Sequence, residues 1–149
     1  MLEELTENAE NKTPTGRPLT SHRYSAILPM LPGLADKSGA DVLELLKACI
    51  TKAELTSVAE VEAAFQPYGM SAIVVLQESH VAAHCWPEIN KVLLDVHICD
   101  YFSDNKTRAE ALCQALGATF GGDDSLERWH YARIDEKPGF SKQTGNTPE

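Results

Sequence analysis

From Val92 to Cys99 the side chains fall into two alternating sets. Successive residues of a strand face opposite ways, so Val92, Leu94, Val96 and Ile98 make one wholly apolar face. The other face carries Leu93, Asp95, His97 and Cys99. One face is expected to pack against helices and the other to present an acid, an imidazole and a thiol together. The apolar run from Met70 to Leu76 predicts a second, buried strand. Before it, Pro67-Tyr68-Gly69 reads as a turn joining two strands. The segment 56–66 is compatible with either strand or helix, with Val58, Val61 and Phe65 fitting a strand that leads into that turn. A first strand is expected over Ser21–Pro29, followed by a loop through Pro32 and Gly33.

Two stretches have helical spacing. Ser38 and Asp41 form a capping-box pattern. Behind it Val42, Leu45, Leu46, Cys49 and Ile50 make one apolar stripe. In the second stretch Ser103 or Asp104 is placed to cap, Ala109, Leu112, Cys113 and Leu116 form the stripe, and Gly117 suits the position after the last turn. Cys49 and Cys113 therefore read as core residues. A last strand or hairpin is expected between Ala118 and Ile134, interrupted by Gly121-Gly122-Asp123-Asp124. Two helices among several strands, without βαβ alternation, predict an α+β fold. Its form is a two-layer sandwich of an antiparallel sheet packed against two main helices. The domain is expected over 21–136, between a flexible N-terminal tail, 1–20, and a flexible C-terminal tail, 137–149.

Composition narrows the function classes. The chain has 149 residues, enough for one real core. Its net charge of −9 argues against a nucleic-acid partner, which would need a basic face. No run is long enough for a transmembrane helix, and the acidic N-terminus lacks the order of a signal peptide, so no membrane partner and a cytoplasmic location are expected. The four cysteines show no CxxC spacing and are expected to be reduced thiols.

The stretch between the two apolar strands is the chemical centre of the chain: Gln77-Glu78-Ser79-His80-Val81-Ala82-Ala83-His84-Cys85-Trp86-Pro87-Glu88. Buried polar groups need partners, so this density of serine, histidine, cysteine and glutamate between strands points to a site. Three chemistries compete. His80, His84, His97 and Cys99 are zinc-ligand types, but HExxH and zinc-ribbon spacing are absent, so no metal is expected. A cysteine–histidine hydrolase could use Cys85 with His84 or Cys99 with His97. The first pair would face opposite sides of a strand, and neither has a nucleophile-elbow signature.

The third comes from a resemblance. Glu78-Ser79-His80, then His84-x-Trp86-Pro87-Glu88, then Asp95 and Cys99, resemble the processing and active-site signature of the small prokaryotic S-adenosylmethionine decarboxylase proenzymes. Upstream, Pro67-Tyr68-Gly69-x-Ser71 resembles the same family. The likeness covers about 65–120 with fixed spacings. It implies a self-cleaving proenzyme whose cofactor is a pyruvoyl group made from Ser79 by cleavage after Glu78. It implies His84 as the processing base, Ser71 as its helper in processing, and Cys99 as the proton donor to the substrate carbon. It further implies Phe65, Trp86 and Glu88 as substrate-binding residues, S-adenosylmethionine as substrate for spermidine synthesis, and a homodimer of cleaved protomers or larger assembly. His80 belongs to the signature without a clear role. Gln77, Cys85, His97 and Asp100 depart from the family pattern, Asp100 standing where glycine is typical. Those departures leave ornithine or arginine open as substrates, and an inactive homologue partnering an active subunit as the non-enzymatic reading. Because Ser79 and His84 have opposite parity on a strand, a bend or bulge is expected at the serine.

Overall fold

The computed structural model describes residues 12–136. The expected tails at 1–11 and 137–149 lie outside the described residues. Lys12 to Leu19, expected to continue the N-terminal tail, form a tight turn: the Gly16 N–H donates to the Thr13 carbonyl and Thr13 is buried.

Six strands follow: β1 (Thr20–Pro29), β2 (Ser57–Ala64), β3 (Met70–Leu76), β4 (Ser79–Trp86), β5 (Lys91–Cys99) and β6 (His130–Asp135). They form one antiparallel sheet in the order β2-β3-β4-β5-β1-β6. Two helices, α1 (Gly39–Lys52) and α2 (Lys106–Gly121), pack on one face only, α1 over β2 and β3, α2 over β1 and β5. The α+β two-layer sandwich is as expected.

Local chemistry accounts for the helix ends. Ser38 Oγ accepts from the Asp41 N–H and Asp41 Oδ2 accepts from the Ser38 N–H, so the capping box closes. The second helix differs from expectation at both ends. Its N-cap is Asn105, not Ser103 or Asp104. It also runs past Gly117 to Gly121, because Gly117 is buried against the backbone of Asp123, a contact only a residue without Cβ tolerates. The left-handed terminator is Gly122, at φ 70°, whose N–H donates to the Ala118 carbonyl. Phe120 is thereby placed in the core, and only β6 remains of the expected final hairpin.

Val92, Leu94, Val96 and Ile98 of β5 meet Leu46, Ile50, Leu112, Leu116 and Phe120 in one apolar core, all fully buried. Cys49 and Cys113 are in this core, as their stripes predicted, and Cys49 Sγ reaches Thr119 Oγ1 between the helices at 3.4 Å. Among the described residues, no helix covers the opposite face of the sheet. Ile27 is 60% exposed there and Val75 43%. β2 lies at the sheet edge, and Val58 and Val61 are exposed rather than buried.

Candidate active site

The strand registers decide which predicted residues meet. Ser71 on β3 stands opposite His84 on β4. Their side chains are joined, Ser71 Oγ lying 2.7 Å from His84 Nδ1. The His84 ring stacks near Trp86, centroids 6.3 Å apart. Phe65 directly follows the neighbouring strand β2, half exposed, with its N–H donating to the Gly69 carbonyl. Gly69 has φ 99°, and a side chain there would press on the Cys85 carbonyl. Glu88 is exposed on the short helical turn Pro87–Ile89 that follows β4. Ser71, His84, Trp86, Phe65 and Glu88 thus collect at one end of the β3–β4 hairpin.

The other end holds the second group. Gln77 and Glu78 form the two-residue turn between β3 and β4, with Leu76 paired to Ser79. Glu78 is held at φ 66°, a conformation that strains any residue with a side chain. The bond after it, Glu78–Ser79, is the one the family resemblance marks for cleavage. Ser79 is half-buried, and its Oγ accepts the Cys99 N–H at 3.0 Å. Cys99 ends β5, paired with Ser21 of β1, and its thiol donates to Ser21 Oγ at 3.7 Å. The bulge expected at Ser79 is absent: β4 keeps one register with β3 from Ser79 to Cys85, and the change of direction is the strained turn itself.

The two groups are therefore separate within one chain. Five residues of extended strand part Ser79 from His84, about 16 Å, and their side chains leave opposite faces of β4. His84, Ser71 and Cys99 share the open face with Asp95 and His97.

The open face is electrostatically organised. His80 and His97 lie opposite each other with ring centroids 5.1 Å apart. Burial, then the neighbouring His80 and Arg23 charges, push His97 below its ordinary value, against the pull of Asp95. Burial pushes Asp95 upward, but hydrogen bonds from Ser25 Oγ (2.6 Å) and Arg23, with the Arg23 and His80 charges, outweigh it and hold the carboxyl below its usual range. Cys85 faces the helices instead, buried, and desolvation pushes its thiol up to about 11. It is a protonated core thiol at neutral pH, on the wrong face for His84, which removes that hydrolase pair. His97 pairs with His80, while the thiol partner of Cys99 is Ser21.

Ser21 escaped the sequence reading because its only signal is a register: it is the residue across from Cys99. The same holds for His22 and Asn105, which bond Asp100, and for Tyr131, which bonds His22.

An antiparallel sheet with helices on one face, and a serine that follows a strained turn and binds the Cys99 backbone, define a two-layer α+β protein with a candidate self-processing site. The family profile described as S-adenosylmethionine decarboxylase matches residues 34–128, and the chain belongs to that family. Similar proteins include the S-adenosylmethionine decarboxylase proenzyme of Archaeoglobus fulgidus, 43% identical over 58 residues, which are 39% of this chain and 52% of that one. That of Aquifex aeolicus is 39% identical over 59 residues, 40% of this chain and 44% of the relative. That of Hydrogenobaculum sp. is 31% identical over 78 residues, 52% of this chain and 58% of the relative. The matched stretches span about half the length of these relatives. The crystal structure of the adenosylmethionine decarboxylase from Aquifex aeolicus VF5 has the same fold, with TM-score 0.62 at 22% identity, over 87% of this chain and 98% of that one.

Proposed function

We propose that this chain is a pyruvoyl-dependent decarboxylase that cleaves itself between Glu78 and Ser79 and acts on S-adenosylmethionine, yielding the aminopropyl donor for spermidine. The observation that carries the reading is the contact of Ser79 Oγ with the Cys99 N–H, which puts the residue that would become the cofactor beside the residue that would donate the proton. The residues present suit such a group: Ser79 follows a strained Glu78, and its Oγ binds the backbone N–H of Cys99, whose thiol is half-buried.

Processing uses the chain's own atoms. Ser79 Oγ attacks the Glu78 carbonyl carbon, the peptide C–N bond breaks, and the freed nitrogen takes the proton. His84 then removes the Ser79 α-proton, the Glu78 carboxylate leaves from Cβ, and hydrolysis of the resulting enamine releases ammonia. The strained Glu78 favours this step because cleavage releases its left-handed backbone. A pyruvoyl group at position 79 would supply an electrophilic ketone able to take up the substrate amine and to act as an electron sink during decarboxylation. Cys99 returns a proton to the substrate carbon. Trp86 and Phe65 offer aromatic faces for the adenine and sulfonium, and Glu88 offers a carboxylate for the ribose hydroxyls.

His84 reaches Ser79 if two copies share the work. The separation of about 16 Å along one strand and the opposite faces that the two side chains leave speak against a single chain, and a second copy would have to bring its Ser71–His84 pair to the Glu78–Ser79 turn. The exposed Ile27 and Val75 on the open face support a second copy lying over part of it. A homodimer, or a larger assembly, is the corresponding reading.

Intact mass under denaturing conditions tests self-cleavage. Two chains, 1–78 and a pyruvoyl-blocked 79–149, are expected. Carbon dioxide release from S-adenosylmethionine, with ornithine and arginine in parallel, then tests the substrate. A stable single chain would overturn the reading.

A further inference from the structure

Cys99 sits at the end of a strand, where backbone usually frays, yet each of its polar groups is tied. Its N–H donates to Ser79 Oγ, its thiol to Ser21 Oγ, and its carbonyl accepts Asn105 Nδ2–H at 3.0 Å. The next residue continues the restraint. The Asp100 N–H donates to the Thr20 carbonyl at 2.8 Å. Asp100 Oδ1 accepts the Asn105 N–H at 2.8 Å, and Oδ2 lies 2.8 Å from His22 Nε2. His22 is buried, and its Nδ1 lies 2.8 Å from the Tyr131 hydroxyl. Asn105 is oriented in turn, since its Oδ1 accepts from Arg108 Nη1 at 2.8 Å and from Ser103 Oγ at 3.2 Å, which aims Nδ2 at Cys99.

We propose that Asp100, clamped between His22 and the Asn105 amide, is a positioning residue that sets the aim of the Cys99 thiol through Asn105. The inference rests on the reading of Cys99 as proton donor. A thiol turns about one bond from its Cα, and processing removes the Ser79 Oγ that holds the Cys99 N–H, so in the cleaved protein the Asn105 bond to the Cys99 carbonyl and the Asp100 bond to Thr20 are what fix the arc that the sulfur can sweep. Aim matters because the electrons released with carbon dioxide are shared between two carbons. A proton placed on the substrate carbon gives product. A proton placed on the carbon derived from Ser79 leaves the substrate nitrogen on the chain. Water then supplies an oxygen to the departing aldehyde, and the C-terminal chain begins with alanine. The clamp favours the first outcome.

Two variants isolate it. Asp100→Ala removes both carboxylate contacts. Asn105→Asp keeps the acceptor for Arg108 and Ser103 and loses only the donor to Cys99. Iodoacetamide labelling of the full-length protein, mapped by mass, reads the freedom of the thiol without needing activity. Cys99 is expected to label roughly fivefold to tenfold faster in both variants, the factor one lost hydrogen bond carries. Buried Cys49 and Cys113 report global loosening and are expected to stay protected. In turnover with S-adenosylmethionine, the alanine-terminated fraction is expected to rise about tenfold and kcat to fall, with KM little changed. Unchanged Cys99 labelling overturns the proposal. So does faster labelling of all cysteines together, or faster Cys99 labelling with an unchanged alanine fraction. A wild-type chain that neither cleaves nor releases carbon dioxide defeats the decarboxylase reading instead, and labelling then still decides whether the clamp holds the thiol.

Discussion

Ser71 and His84 face each other across neighbouring strands, hydroxyl to imidazole at 2.7 Å, and their nearest Ser79 along the chain is about five strand residues away. That relationship makes the assembly itself testable. A chain carrying Ser79→Ala still offers His84, and a chain carrying His84→Ala still offers Ser79. Each alone is expected to stay intact. Co-expressed, the His84→Ala chains are expected to be cleaved and the Ser79→Ala chains not, as read by intact mass. No cleavage in the mixture would exclude a site shared between copies.

In the proposed mechanism Cys99 would donate its proton after carbon dioxide has left, whereas processing precedes that step. Cys99→Ala is therefore expected to cleave at a near-normal rate and to lose decarboxylation by about a hundredfold or more, the range of a general acid. Mass spectrometry and carbon dioxide release, run on one sample, separate the two. Equal loss of both activities would assign Cys99 to folding or processing.

The open face also predicts the acid limb of stability. His97 and Asp95 both titrate below their ordinary values in the fold. The unfolded chain thus binds protons that the folded chain refuses, and stability falls with falling pH. For His97 the loss begins near its unfolded pKa, about 6.5, and for Asp95 near about 3.9. Urea midpoints of the wild type should drop between pH 7.5 and pH 5.5. In His97→Gln this drop should shrink, and in Asp95→Asn the further drop below about pH 4 should shrink.

Phe120 is fully buried under the sheet, reached only because α2 continues beyond Gly117. Phe120→Ala is expected to destabilise the fold by about 3–5 kcal/mol, measured by urea unfolding. A loss near zero would mean that the last turn of α2 lies off the core.

Much of the fold was legible in the chain. Alternation in β5 separated a core face from a chemical face, and the helical stripes of α1 and α2 located the core cysteines. Both signals are local, since burial of one face imposes a period on the sequence itself. The end of α2 was misread because Gly117 has the residue type of a terminator, and only close packing against Asp123 shows why a glycine stands mid-helix.

The sequence by itself determined which residues could do chemistry: the resemblance of its motifs to a known family named Ser71, Glu78, Ser79, His84 and Cys99. Tertiary structure alone decided their company. Strand register, which depends on pairing between distant segments, put Ser71 on His84, Ser79 on Cys99 and Ser21 across from the thiol, and it kept the first pair apart from the second. The clamp from Tyr131 through His22 to Asp100 joins residues up to 109 positions apart, and no local period records a contact of that kind.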